Sequence, residues 1–377
     1  MNRQIKCLNS RRLKITFLDF DDIRNPLLGA GQAWSTFHVG KELAKKGHKI
    51  SVISSKYPGC RDRFEGGIEY KHIGFTTNNI KLNNLIYILS IPFIIPKVKA
   101  DIIIECFTAP ISTLFSPLFT KVPVIAKSTS FEAERFTKLY HLPFNQVEKF
   151  GCRFYKYFMP LSPNLEKKMK SFNRNITSFC ITEGVDKEYF SNERKSPNHL
   201  LYLGRLDINQ KGIDLLLESY NKIKGSTSIP LVISGDGPDK DKVKALIHNW
   251  GLDNQVKMVG PVHGKEKQKL LSHAYCLVFP SRQESFGLVG LEALASGIPI
   301  VCFDIPGLAW LNKKVAFKVK PFAVSQYSKL LLRMTDRKNI KRMSSIYRAY
   351  AKKFTWNKIA DMYEEFFMRV LRWEGGI

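Results

Sequence analysis

The sequence predicts an α/β protein of two Rossmann-like, doubly wound domains. Three observations carry this. Short apolar strand patterns alternate with amphipathic helix patterns along most of the chain, as a parallel sheet covered on both faces requires. A polar stretch, Ser191 to Asn198 (SNERKSPN), interrupts the alternation, and a second series begins after it. The 377 residues suffice for two domains of ordinary size, each burying its own core without a disulfide or structural metal.

Taken in order, Leu13 to Phe20 reads as a strand, Gln32 to Lys46 as a helix stopped by Gly47, and His48 to Ser54 as a second strand, a βαβ opening. Further strand patterns follow at Ile68 to Gly74, Asp101 to Phe107, Val122 to Lys127, Tyr157 to Ser162 and Thr177 to Thr182. Beyond the polar stretch, strands are expected at Leu200 to Arg205, Pro230 to Ser234, Gln255 to Val259, Tyr275 to Pro280 and Pro299 to Asp304. Helices at Gly212 to Lys222, Lys240 to Trp250, Lys265 to Ala274 and Phe286 to Ala295 alternate with them. The final amphipathic stretch, Trp356 to Trp373, has no strand after it, so its apolar face must find some other surface. The division expected is a basic tail at 1–12, a first domain at 13–190, a second at 199–355 and a terminal segment at 356–377.

Fifty-nine Lys and Arg face thirty-three Asp and Glu, a formal charge of +26. Such a field attracts phosphate-bearing partners: nucleic acid, anionic lipid or nucleotide. Val301 to Tyr350 is the most biased stretch, with eleven basic residues against Asp304 and Asp336; a solvated basic surface is the plain reading. The seven cysteines form no C-x-x-C pair and several lie in apolar runs, which points to a reducing, cytosolic compartment. The polar start, MNRQIKCLNSRR, lacks the apolar core of a secretory signal, so the mature chain is expected to begin near Met1. The longest apolar run, Leu85 to Pro96 (LIYILSIPFIIP), is too short to span a bilayer and carries Pro92 and Pro96. It is a core or an interfacial segment. Together with the positive field, the interfacial alternative implies reversible binding to an anionic membrane surface, the protein being cytoplasmic and peripheral on the inner face of the cell membrane.

The sharpest chemical feature is Pro280 to Gly297, PSRQESFGLVGLEALASG. Strand, loop and helix follow one another, with Glu284 in the loop and Glu292 within the helix. Open α/β sheets bind ligands beyond the carboxyl ends of their strands, where this loop lies. The backbone N–H groups of Phe286, Gly287 and Leu288 at the helix start suit an anion. A carboxylate just before them suits sugar hydroxyls, and one further along suits ribose hydroxyls; taken alone, the pair reads as a helix cap and a solvated helix residue. Gly29 and Gly31 (GAGQ) follow the first strand and precede its helix, which permits close backbone approach to a ligand, although the spacing is not G-x-G-x-x-G. Asp19, Asp21 and Asp22 end the first strand and read as caps or solvated loop carboxylates rather than as a metal-binding D-x-D.

The segment around Glu284 and Glu292 resembles the E-x7-E signature of retaining GT-B glycosyltransferases, in particular the large family four. Leu201 to Leu217 (LYLGRLDINQKGIDLLL) is similar to that family's strand, basic residue, loop, lysine and helix unit, and Val232 to Pro238 (VISGDGP) and Val256 to Gly260 (VKMVG) to its next two landmarks. Gly29 to Gln32 matches its glycine loop, and Glu183 to Phe190 (EGVDKEYF) a segment usually written N-G-V-D. The resemblance implies two domains facing a cleft, an acceptor-binding first domain, a donor-binding second domain and a last helix that crosses back onto the first. It implies hexosyl transfer from a nucleotide sugar, UDP- or GDP-linked, to a sugar or lipid-linked acceptor in glycan biosynthesis, with retention of configuration, no cofactor and no metal. Arg205 and Lys211 would hold the diphosphate, with Glu284 as the third catalytic residue; Gly29, Gly31, Gly235, Phe286, Gly287, Leu288 and Glu292 would contact the donor. Arg offers a planar fork and Lys a mobile point charge, both suited to a leaving diphosphate.

Two positions depart from the pattern. The family places a histidine just after the strand matching Val122 to Lys127, where this chain has Ser128, Thr129 and Ser130; Thr129 and the nearby Glu132 are the candidates on the acceptor side. Glu183 replaces the usual asparagine. The missing imidazole leaves a non-catalytic sugar-nucleotide-binding protein as the alternative. A basic nucleic-acid-binding protein lacks support: there is no zinc spacing, RNP-like strand or obvious recognition helix. A dinucleotide oxidoreductase lacks the full glycine fingerprint.

Overall fold

Residues 11–28, 31–107, 110–335 and 343–375 are described by a computed structural model. They form two compact units, one of residues Met1–Glu183 with Trp356–Ile377, the other of Gly184–Thr355. Residues 1–10 of the basic tail and Gly29 lie outside the described residues.

The first unit holds β1 (Lys14–Leu18), β2 (Lys49–Ser55), β3 (Arg63–Glu65), β4 (Ile68–Ile73), β5 (Ile102–Cys106), β6 (Val124–Ser128), β7 (Tyr157–Pro160) and β8 (Thr177–Ser178), in the order β3-β4-β2-β1-β5-β6-β7-β8. All pairings are parallel except β3 with β4. Its helices are α1 (Gly31–Lys45), α2 (Ile80–Ile94), α3 (Ala133–Tyr140), α4 (Phe144–Gly151) and α5 (Pro163–Phe172). The inner strands β5 and β6 are buried along their whole length, whereas β4, beside the edge, alternates buried and exposed (IEYKHI). Alternation divides the core: Ile102 and Ile104 face one side with Val39 and Leu43 of α1, and Ile103 faces the other with Tyr87 and Ile91 of α2. The strand expected at Thr177 to Thr182 is reduced to two residues at the sheet edge.

The second unit is a six-stranded parallel sheet of β9 (His199–Leu203), β10 (Leu231–Ser234), β11 (Val256–Gly260), β12 (Ala274–Phe279), β13 (Ile300–Phe303) and β14 (Ala316–Val319), ordered β11-β10-β9-β12-β13-β14. Around it lie α6 (Ile208–Lys211), α7 (Ile213–Asn221), α8 (Lys240–Asn249), α9 (Gly264–Ser272), α10 (Leu288–Ala295), α11 (Val324–Met334) and α12 (Ser344–Ala351). Tyr327 of α11 ties two strands together, receiving the Phe279 amide and donating to the Val301 carbonyl, each at 3.0 Å.

The last helix, α13 (Trp356–Trp373), belongs to the first unit. Its buried residues Ile359, Tyr363, Phe366, Phe367 and Val370 join the cluster that contains Ile15, Phe17 and Leu43, and Lys46 pairs with its Asp361 and Glu364 at 2.5 and 2.8 Å. The boundary expected at Ser191 to Asn198 falls earlier, between Glu183 and Gly184. Val185 bridges Thr355, donating to the Phe354 carbonyl at 2.8 Å, so the second unit is closed where the chain enters and leaves it. Gly184 to Phe190 therefore lies in the second unit, not the first.

The aspartates after β1 are not solvated. Asp19 accepts from Thr36 at 2.5 Å and from Gln32 at 3.2 Å. Asp22 receives both Nη atoms of Arg63 at 2.6 and 2.8 Å and His72 Nε2 lies 2.9 Å away. Burial alone would raise the Asp22 pKa, but His72 and Arg63 outweigh it and hold the carboxyl below the ordinary range. Each of the three also accepts a backbone amide of the loop: Asp19 from Asp21 at 3.3 Å, Asp21 from Asp22 at 2.9 Å and Asp22 from Arg24 at 2.9 Å. Charges this deep persist only when paired, which reverses the solvated reading.

Candidate active site

The second unit gathers most of the candidates at the carboxyl edge of its sheet. β9 ends at Leu203, and Gly204 and Arg205 lead into α6, which Asp207 caps by accepting the Gln210 amide at 3.0 Å. Arg205 donates to Gln210 Oε1 at 2.5 Å, lies 3.2 Å from Asp207, and is half exposed. Lys211, at the end of α6, meets Glu284 Oε1 at 2.6 Å, and Ser281 Oγ donates to the same oxygen at 2.7 Å. Glu284 is 6% exposed and Lys211 20%, so this pair is shielded from water on most sides.

The loop bearing Glu284 is stitched to α6. The Arg282 and Gln283 amides both donate to the Gln210 carbonyl, at 3.0 and 3.2 Å. Arg282 grips Asp214 of α7 through two contacts of 2.7 and 2.6 Å and donates to the Ile208 carbonyl at 2.7 Å. Gly235, after β10, is required by close approach: a Cβ there would stand 1.8 Å from the Gly204 carbonyl oxygen. At the far end of the loop, Gly287 precedes α10 in the left-handed region (φ 81°), and a Cβ would meet the Phe279 ring at 2.6 Å. Trp310 stacks on Phe286 at 4.5 Å and donates to its carbonyl at 2.7 Å. The Gly290 amide already bonds the Gly287 carbonyl at 2.9 Å, and the Leu288 and Val289 amides stand ahead of it at the start of α10, a place that suits an anion.

Glu292 sits apart from the Lys211–Glu284 pair. It forms an ion pair with Lys267 of α9 and accepts from the Tyr189 hydroxyl at 3.1 Å. Burial first, and the Glu292 charge second, raise the Tyr189 pKa, which keeps the phenol a donor.

In the first unit, Gly31 opens α1. Thr129 donates to Gln32 Oε1 at 3.3 Å, and Gln32 in turn donates to Asp19, so the loop after β6 is tied to the start of α1. Glu132 precedes α3 and lies 3.7 Å from Arg135. Lys127, just before the position where the histidine is expected, is buried and donates to Ser35 Oγ at 2.9 Å. Burial would lower its pKa, but Tyr363, Glu183, Cys106 and Asp19 raise it. Glu183, standing where the resemblance expects asparagine, is thus a partner in the field of a buried cation.

Sequence reasoning missed Ser281, Gln210, Asp214, Tyr189 and Lys267, all of which orient the candidates. Only Arg282, two residues before Glu284, offered a signal; Lys267 is one lysine of three in α9 and nothing in its neighbours marks it.

Comparison with known proteins bears on the fold and on the second unit. Residues 186–353 match the family model Glycosyl transferases group 1. An uncharacterised glycosyltransferase of Methanocaldococcus jannaschii is 38% identical over 114 residues, 30% of this chain and 29% of that protein, so the match spans under a third of the relative's length. Sucrose-phosphate synthase from Thermosynechococcus elongatus superposes with a TM-score of 0.78 at 17% identity, over 96% of this chain and all of that one. An Anabaena protein, HepE, solved with UDP and glucose, gives 0.72 at 17% identity over 94% and 99% of the two chains. The chain thus has the two-sheet GT-B fold, and its residues 186–353 match a glycosyltransferase group 1 domain.

Proposed function

We propose that the chain is a retaining glycosyltransferase that moves a hexosyl group from a nucleotide sugar, UDP- or GDP-linked, to an acceptor hydroxyl without a metal ion. The observation that carries the reading is the shielded Lys211–Glu284 contact, with Arg205 on the segment that leads into α6 and the start of α10 at the end of the Glu284 loop. The Lys211 ammonium has three donors, of which Glu284 takes one, leaving two for phosphate oxygens. Arg205 supplies a planar fork exposed to solvent on one side. As the glycosidic bond breaks, the diphosphate gains negative charge, and fixed cations with helix amides stabilise that state more than the ground state. Glu284 accepts from donor sugar hydroxyls. Glu292 takes ribose hydroxyls, sharing its oxygens with Lys267 and Tyr189. The first unit binds the acceptor, Thr129 and Glu132 being its candidate contacts, and the leaving phosphate assists deprotonation of the attacking hydroxyl. The acceptor is lipid-linked and the protein peripheral on an anionic leaflet, a reading supported by the charge of +26 and the apolar run at Leu85 to Pro96.

A thermal-shift panel of UDP, GDP and ADP with their common sugar conjugates tests the donor assignment, because only a ligand that binds the native state raises Tm. One conjugate is expected to stabilise more than its free nucleotide, and the anomeric signal of the product is expected to match that of the donor. Stabilisation without turnover for any acceptor would favour the non-catalytic binder, which the absent histidine keeps as the second reading.

A further inference from the structure

We propose that the first unit docks on an anionic bilayer through the outward face of α2, with Leu82, Leu85, Leu89 and Phe93 entering the acyl boundary and Lys81, Lys97, Lys99 and Lys121 meeting lipid phosphates. This deepens the lipid-linked reading above and rests on it.

The helix has two faces of opposite fate. Asn83, Tyr87, Ile91 and then Ile95 recur every four residues and are buried, Tyr87 donating to the Ile53 carbonyl at 3.1 Å. Leu82, Leu85, Leu89 and Phe93 recur at steps of three, four and four and are 43, 53, 61 and 74% exposed. A core helix should turn such a stripe inward; here the inward face is already filled by a different line of residues. Single exposed apolar side chains need no explanation, but four in one line on one helix form a patch. It continues at both ends. Lys81 lies 5.0 Å from the Tyr140 ring, whose near neighbours in the chain, Leu139 and Leu142, are also exposed. Beyond its end, Pro96 shares a shallow hollow with the exposed Leu118 and with Lys121.

Charge selects the occupant. Residues 70–100 contain Lys71, Lys81, Lys97 and Lys99 and no Asp or Glu. Lys81, Lys97, Lys99 and Lys121 are exposed. Two copies joined through this face would set lysine against lysine with no carboxylate on the segment to pair them, whereas an anionic leaflet supplies the opposite charge. Lysines at the two ends of an apolar stripe suit a helix lying in the interface plane, stems along the apolar surface and ammonium groups at the phosphates. Pro92 lies within the helix, and among the described residues no helix is long and apolar enough to cross a membrane.

The test is co-sedimentation of the full chain with phosphatidylglycerol–phosphatidylcholine vesicles and with phosphatidylcholine alone, at low and high salt, with the sugar-nucleotide thermal shift measured in parallel. Wild type is expected to pellet with the anionic vesicles, less so at high salt. Leu85→Glu/Leu89→Glu is expected to lower the partition coefficient about tenfold or more, and Lys97→Glu/Lys99→Glu to abolish the preference for anionic lipid, both with an unchanged donor shift. A Leu89→Trp variant adds a direct readout, since its emission should move to the blue with anionic vesicles. Wild-type partition by Leu85→Glu/Leu89→Glu, or no blue shift at Trp, overturns the proposal. So does a concentration-dependent dimer that Leu85→Glu dissolves, which would make the face an interface between two copies. A wild type that shifts with a sugar nucleotide but ignores every vesicle overturns the docking surface and leaves the donor reading standing.

Discussion

Lys211 and Arg205 differ in what their removal leaves behind. Replacing Lys211 by alanine strips the cation from Glu284, which is nearly buried, whereas Arg205 is half exposed and its loss leaves Asp207 with the Gln210 amide that it caps. Either alanine variant is expected to reduce kcat/KM by about ten- to a thousandfold, the range for one electrostatic contact to a transition state. Lys211→Ala should also lower stability, and Glu284→Ala should impair donor use; steady-state kinetics with a parallel Tm series reads both. Wild-type kinetics for Lys211→Ala would remove the assigned role. Glu105 makes a separate prediction at this scale. It is fully buried at the end of β5, accepts the Leu114 amide at 2.6 Å and is hydrogen-bonded by the Tyr155 hydroxyl. Burial pushes its pKa from 4.5 up to about 7, against the pull of Ser116 and Tyr155. Between these values the native state holds a proton that the unfolded chain has released. Its contribution is therefore full below about pH 4.5 and lost as the pH rises through about 7. Glu105→Gln should flatten this part of the stability–pH curve, a change of about 3 kcal/mol between its ends; urea titrations at several pH values would show an unaltered slope if the assignment is wrong.

Elements impose constraints that no single contact reveals. The start of α10 depends on Gly287, whose φ of 81° and proximity to the Phe279 ring leave no room for a side chain. Gly287→Ala should cost about 2 kcal/mol and move the first-turn amides, raising KM for the donor more than it lowers kcat. A fall in kcat with KM unchanged would show instead that the amides act only in the transition state. The final helix α13 supplies Tyr363, Phe366 and Phe367 to the core of the first unit. Phe366→Ala, which also removes the stack on Phe179 at 5.5 Å, should destabilise that unit by about 3–5 kcal/mol. Domain-resolved unfolding should place the loss in the first unit; an unchanged first transition would contradict the packing.

Charge acts at the scale of the whole molecule. If cations and helix amides together neutralise the leaving diphosphate, turnover should survive EDTA, and complete loss restored by Mg²⁺ or Mn²⁺ would count against the proposed chemistry. The sequence by itself determined the α/β class, because strand and helix periods are local properties. It also determined the neighbourhood of the site: Arg205, Lys211, Glu284 and Gly287 lie in two short segments that each follow a strand, and a parallel sheet necessarily delivers such segments to one edge. Only the tertiary structure decided that Lys211 meets Glu284 while Glu292 meets Lys267 and Tyr189, since spacing fixes which residues share a helix face but not what stands opposite. For the same reason the sequence left the apolar face of Trp356 to Trp373 without a surface, and only the fold placed it against Ile15, Phe17 and Leu43. Asp22 was misread because its partners, Arg63 and His72, lie some forty to fifty residues away. Burial is a property of the packed chain: periodicity announces that a face will be covered, and only packing chooses the cover.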